Sequence, residues 1–271
     1  LRSIARRTLL ALPALPALFA ARPVLAAQPQ PWLAYERRLR ERLNDPPGGD
    51  FDADFERTLL DLNNIFRDRQ GPRPLAWDPG LALAARAHAA DMGATEVFDH
   101  LTREGFTPAG RVGLLARDLV GAAGENIAMR RNASGPVTPD QIMGQWKASP
   151  GHRANLLAVD FTHVGYGVLR QGPRVIAVAA YAEVAARLAA AAPLRVGSTD
   201  EIARALASAT PTIRQFSVSE PGGEVLTATY LEGVPGQPPP TLAAGAWQLR
   251  PHLSTGEHRY QVAWGPVFIL G

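Results

Sequence analysis

The sequence predicts an α+β fold in two parts, a mixed helix-and-sheet domain over 51–184 and a small, mostly β module over 211–271. Three observations lead there. Asp78, Thr107 and Thr138 each precede a proline, and an oxygen able to accept a first-turn N–H, followed by a residue with no N–H to lose, is a helix start. Two apolar segments, 163–169 and 175–181, flank Gly172 and Pro173 and read as antiparallel strands joined by a turn. Beyond 210, apolar residues alternate or cluster at 213–218, 224–231, 246–251 and 258–262 between turn residues, which is the pattern of short strands.

With 271 residues the chain can hold one large or two modest cores. Its opening residues, 1–27, run from basic to apolar to small and read as a secretory signal cleaved near Ala26 or Ala27. Pro13 and Pro16 interrupt an apolar run already short for a spanning helix. Arg6 and Arg7 leave two export routes open, a twin-arginine signal and an ordinary one that happens to hold two arginines. The segment carries four arginines and no acid, so the net charge of +3 becomes −1 once it is removed. The basic pI of about 9.7 therefore belongs largely to the signal, which removes the case for a nucleic-acid partner or an anionic-membrane surface. The expected location is the periplasm or the medium. With no cysteine, the exported fold must be held by its core alone.

Residues 28–50 read as a short helix over 32–43 and a linker closed by Pro46-Pro47-Gly48-Gly49. Phe51, Phe55, Leu59, Leu62 and Phe66 recur at spacings of three and four and make one apolar helix stripe. The helix after Asp78 carries Leu81, Ala85, His88 and Met92 on one side, and His88 reads as a packed histidine with a single hydrogen bond. Residues 185–210 read as a linker, and the Ala-rich tract at 185–192 within them reads equally as a short helix or as linker.

The chemistry concentrates between Gly124 and Leu157. Thr138-Pro139 opens a short helix with Ile142 and Trp146 on one face, and Ser149-Pro150 opens a second, with Ser149 as cap and His152 in its first turn. Glu125, just before the apolar Ile127 and Ala128, suits the edge of a buried strand or turn, where a carboxylate needs a partner. His100 lies upstream as a third group able to bind a metal or move a proton.

F-D-H at 98–100, G-E-N-I-A at 124–128, Trp146, S-P-G-H-R-A-N-L-L at 149–157 and V-G-Y-G-V at 164–168 together resemble a bacterial CAP domain, with support from L-N-N-I-F-R at 62–67 and P-L-A-W-D at 74–78. This superfamily, also called SCP, holds the cysteine-rich secretory proteins, antigen 5 and plant pathogenesis-related proteins. The resemblance covers roughly 52–183. It implies a three-layer α-β-α sandwich with a cleft lined by two histidines and two acids. His100, Glu125 and His152 occupy three of those places, and Ser149 stands where the second acid falls. It further implies that the histidines hold a divalent cation such as Zn2+, with the acids acting mainly through water or hydrogen bonds. The expected metal set is thus His100, His152 and Glu125, and the expected cleft lining Ser149, Asn126 and Trp146.

Two function classes follow. One is an exported binding protein for a small molecule, lipid, glycan or peptide; the other is a metal-dependent hydrolase of envelope polymers or peptides. Two imidazoles and a carboxylate with an open position serve either. A purely structural reading stands beside them, with Glu125 salt-bridged to a protonated histidine. A Ser149–His152 nucleophile pair would lack a visible orienting acid. The C-terminal strand pattern by itself points to no particular family, and His252 and His258 near its turns read as surface histidines.

Overall fold

In a computed structural model, residues 29–225, 227, 229–231, 240–256 and 259–271 are described; the signal expected over 1–27 and His258 lie outside them. The first sheet comprises β1 (Asp50–Phe51), β2 (Ala76–Trp77), β3 (Leu119–Arg131), β4 (His163–Gln171) and β5 (Arg174–Arg187), in the order β1-β4-β5-β3 with β2 parallel to β4. β4 and β5 are the expected hairpin, turning at Gly172 with a φ of 57° that favours glycine. Because side chains alternate along a strand, β5 sends Val175, Ala177, Ala179 and Tyr181 into one core and Ile176, Val178, Ala180 and Ala182 into another. Helices α1 (Pro29–Asn44), α3 (Pro79–Thr95) and α4 (Pro108–Leu115) close the second face. Helices α2 (Ala53–Gln70), α5 (Pro139–Ala148) and α6 (Pro150–Leu157) close the first. The result is a three-layer α-β-α sandwich.

Local chemistry explains most helix starts. Asp52, Asp78 and Thr107 accept N–H bonds from Phe55 at 2.9 Å, Leu81 at 2.7 Å and Gly110 at 3.1 Å. At α5, Gln141 reaches back to accept from the Thr138 N–H at 3.1 Å. Ser149 holds the N-cap position of α6 in an extended conformation, yet its hydroxyl makes no cap hydrogen bond, so the expected cap rests on Pro150 and backbone geometry. On the opposite face, Gly165 and Gly167 let α3 lie directly on β4. A Cβ at either would come within 2.0 Å of the Ala82 nitrogen or 2.1 Å of the Arg86 nitrogen. The helix expected over 32–43 is a structural layer and no mere approach to a linker. Tyr35 and Leu39 are buried, and the Tyr35 ring stacks on Phe106 with centroids 4.1 Å apart.

The second sheet comprises β6 (Arg195–Val196), β7 (Gln215–Ser219), β8 (Tyr230–Leu231), β9 (Gly245–Gly256), β10 (Arg259–Val262) and β11 (Val267–Leu270), in the order β6-β11-β9-β7-β8 with β10 on β9. The linker expected over 185–210 is instead part of this core. β5 runs on to Arg187, and helix α7 (Thr199–Ala207) buries Ile202 and Leu206, four residues apart on one face, against Phe216, Trp247 and Phe268. The two sheets are joined. Gly121 of β3 and Trp264 exchange backbone hydrogen bonds of 2.9 and 2.8 Å. Buried Arg117 donates to the carbonyls of Ala192 at 2.6 Å and Val267 at 2.7 Å. Among the described residues no helix is long and apolar enough to cross a membrane.

Candidate functional site

Glu125 lies within β3, opposite Ala180, and its side chain is only 5% exposed. Both of its oxygens are engaged. Oε1 accepts from His100 Nδ1 at 2.8 Å, and Oε2 accepts from Arg111 Nη2 at 2.8 Å. Arg111, on α4, is itself buried and also donates to the His100 carbonyl at 2.9 Å, which ties the loop carrying His100 to the same ion pair. Burial pushes the Glu125 carboxyl up, but the Arg111 guanidinium and the bonds from its neighbours outweigh this and hold it at about 2. His100 is raised, chiefly by its bond to Glu125. His88, 3.8 Å from Oε1, donates through Nε2 to the Asp99 carbonyl at 3.0 Å; burial, aided by Arg111, pushes it down to about 4, so it is neutral at pH 7. It is the packed histidine the sequence suggested.

Helix α6 is pinned to β3 by amides. Asn126 Nδ2 donates to the His152 carbonyl at 3.0 Å, while Asn155 Nδ2 donates to Asn126 Oδ1 at 2.9 Å and to the Glu125 carbonyl at 3.0 Å. Two expected lining residues therefore belong to the scaffold. Asn126 is fully buried beneath this junction, and Trp146 is fully buried in the core, its Nε1–H donated to the Ile127 carbonyl at 3.1 Å. The apolar face that places Trp146 beside Ile142 also carries it inward.

Above Glu125 is an open cavity of about 400 Å³. Its walls are His100, Thr107, Pro108, Ala109, Ala123, Gly124 and Glu125 from the sandwich, and Gly222 and Trp264 from loops of the C-terminal part. Ser149 and His152 are not in that lining. His152 sits half-buried in the first turn of α6, with Nδ1 buried and unpartnered and its basicity lowered by burial and by His100. The sequence reading missed Arg111 and Trp264. An arginine within the apolar Pro108–Leu115 segment was the available signal for the first, while nothing local marks the second.

The expected three-residue metal set does not assemble. Among the described residues no group of three His, Cys, Asp or Glu could hold an ion, and each Glu125 oxygen already accepts a hydrogen bond. Two imidazoles remain as donors near the site. The Glu125 bond fixes His100 through Nδ1 and leaves Nε2 as its ligating atom, and His152 has an unsatisfied buried nitrogen.

Residues 60–181 match the family model described as the cysteine-rich secretory protein family, CAP. Among curated proteins, the chain is 35% identical over 118 residues to the uncharacterized protein YkwD of Bacillus subtilis (strain 168), covering 44% of each. It is also 35% identical over 116 residues to the uncharacterized membrane protein YlbC of the same organism, covering 43% of this chain and 32% of that one. The chain thus spans less than half the length of the curated relatives it matches. Among solved structures, an extracellular SCP-domain protein from Bacillus anthracis str. Ames is 30% identical with a TM-score of 0.41, over 48% of this chain and 40% of that one.

Proposed function

We propose, from the premise that residues 60–181 are a CAP domain of the bacterial kind, that this protein works outside the cytoplasm as a ligand-binding protein whose binding cleft is the His100–Glu125 cavity. One observation carries the reading. Glu125 is buried, charge-matched by Arg111 and committed through both oxygens, so it orients His100 and is not free to act as a general base. His152, with Nδ1 unpartnered, lacks the orienting acid that a catalytic histidine of the triad kind requires. A divalent cation such as zinc would take as ligands His100, which lines the cavity, and His152, which lies outside its lining, and would supply an electrophilic point for a polar ligand atom. Two imidazoles completed by water make a weak site compared with a closed four-ligand one.

The test separates binding from turnover. Metal-stripped mature protein is titrated calorimetrically with zinc, as wild type and as the double variant His100→Ala, His152→Ala, and is assayed for release of fragments from envelope polymers and peptides with and without zinc. Weak zinc uptake lost in the double variant, with no turnover, is the expected result. Turnover abolished by a chelator would replace this reading with a metal-dependent hydrolase.

A further inference from the structure

We propose that Trp264, carried by the second sheet, is the aromatic wall of this cleft and that the cleft takes a short saccharide; this deepens the binding reading above and rests on it. Trp264 is unlike the core tryptophans. Trp146 and Trp247 are fully buried, whereas Trp264 is half-buried and lines the cavity together with His100 and Glu125. Its ring is held rigid from behind. The Arg250 guanidinium lies 3.6 Å from the indole centroid, and Arg250 is in turn fixed by bonds to the carbonyls of Ala263 at 3.1 Å and Gly223 at 2.8 Å.

The same sheet supplies a second, coupled piece of the wall. Buried Gln248 accepts from the Gly222 N–H at 2.8 Å and donates to the Gly265 carbonyl at 2.9 Å, so one side chain sets both the Gly222 turn and the loop bearing Trp264. Gly222 has a φ of 76°, and a Cβ there would come within 2.5 Å of Thr107 Oγ1, so the turn is seated tightly on the start of α4. A built, preorganised aromatic face thus shares the cavity with the polar groups of His100 and Thr107.

That pairing of surfaces matches a sugar ring, which has an apolar C–H face and a rim of hydroxyls. An acyl chain calls for an enclosed apolar channel, while this cavity is open and ends on a charged pair. Phosphates and carboxylates call for a free cation, and here Arg111 is spent on Glu125 and Arg250 on carbonyls and the indole.

The experiment is 15N NMR of the tryptophan indole N–H groups in the mature chain, which has five tryptophans, with the Trp264 signal identified by its loss in Trp264→Phe. The probes are the N-acetylglucosamine tetramer and cellotetraose, with a phenylalanine-containing tetrapeptide and dodecylphosphocholine micelles as contrasts. A saturable shift of the Trp264 signal with a saccharide alone is expected, weakened about tenfold in Trp264→Ala and retained within a few-fold in Trp264→Phe, from the usual size of a stacking contact. His100→Ala should weaken it too. Saccharide binding that leaves the Trp264 signal unmoved and survives Trp264→Ala overturns the inference while the binding reading stands. Shifts caused by the peptide or the micelles in place of a saccharide overturn the ligand class. Binding that needs Trp264 but is untouched by His100→Ala overturns the cleft reading and leaves the tryptophan as a site of its own. No response to any probe overturns both.

Discussion

Replacing Arg111 with methionine keeps an unbranched apolar stem and removes the cation that matches Glu125. The Glu125 carboxyl is held at about 2 against an ordinary 4.5, which corresponds to roughly 3 kcal/mol of stability at neutral pH. The sign follows from the direction of the shift. A depressed carboxylate contributes fully above its unfolded value near 4.5, and the contribution drains away as pH falls toward 2. Without Arg111 the buried carboxylate loses its permanent cation and keeps only the bond from His100, a change of the kind that costs about 3–5 kcal/mol. Burial then draws a proton onto Glu125 above 4.5, so the deficit should shrink between pH 7 and pH 5. Urea unfolding of wild type, Arg111→Met, Glu125→Gln and the double variant at both pH values measures this, with a coupling of about 2 kcal/mol or more expected at pH 7. A loss that is the same at both pH values and additive in the double variant would refute it, assigning Arg111 to its contacts with Tyr35 and the Phe106 carbonyl.

Three further outcomes follow from the packing. His88 is pushed down to about 4, so its stabilising contribution is complete above 6.5 and lost as pH falls through that window; His88→Gln should flatten the unfolding midpoint between pH 7 and 4 by an amount worth about 3 kcal/mol, and an unchanged slope would assign it to another group. Gly167→Ala places a Cβ about 2.1 Å from the Arg86 nitrogen and should cost about 3 kcal/mol in thermal unfolding, whereas a loss under about 1 kcal/mol would show that α3 can move off β4. Ending the chain after Arg187 strips Val267 from the sandwich core and the partners from Arg117, and should lower the melting temperature by the equivalent of about 2 kcal/mol; an unchanged melt would show that the joint between the sheets contributes nothing.

The legible parts of the fold were those specified within a few residues. Caps at Asp78 and Thr107, the β4–β5 hairpin and the V-G-Y-G-V strand all rest on local geometry, and each stands where the pattern places it. Helix α1 was legible as a helix but not as core, because its charged residues hide the one face on which Tyr35 and Leu39 are buried. Segment 185–210 was misread because alanines fill an extended strand end as readily as a linker, and α7 is too short for its period to stand out. At the site, motif residues marked His100 and Glu125, whose mutual bond the structure shows. They could not mark Arg111, whose role depends on α4 docking over β3, or Trp264, which arrives by a contact between distant strands.

The seam between Gly121 and Trp264 also orders events in time. As the chain emerges, every residue of the sandwich, including His100, Arg111 and Glu125, is made before the loop that walls the cavity. This contact has very high sequence separation, the kind whose loop-closure entropy defers it to the end of folding. The cleft thus depends on a pairing between residues 143 positions apart. A chain that ended between Arg187 and Gly222 would still carry the His100–Glu125 pair and yet lack the Gly222 and Trp264 walls of the cavity.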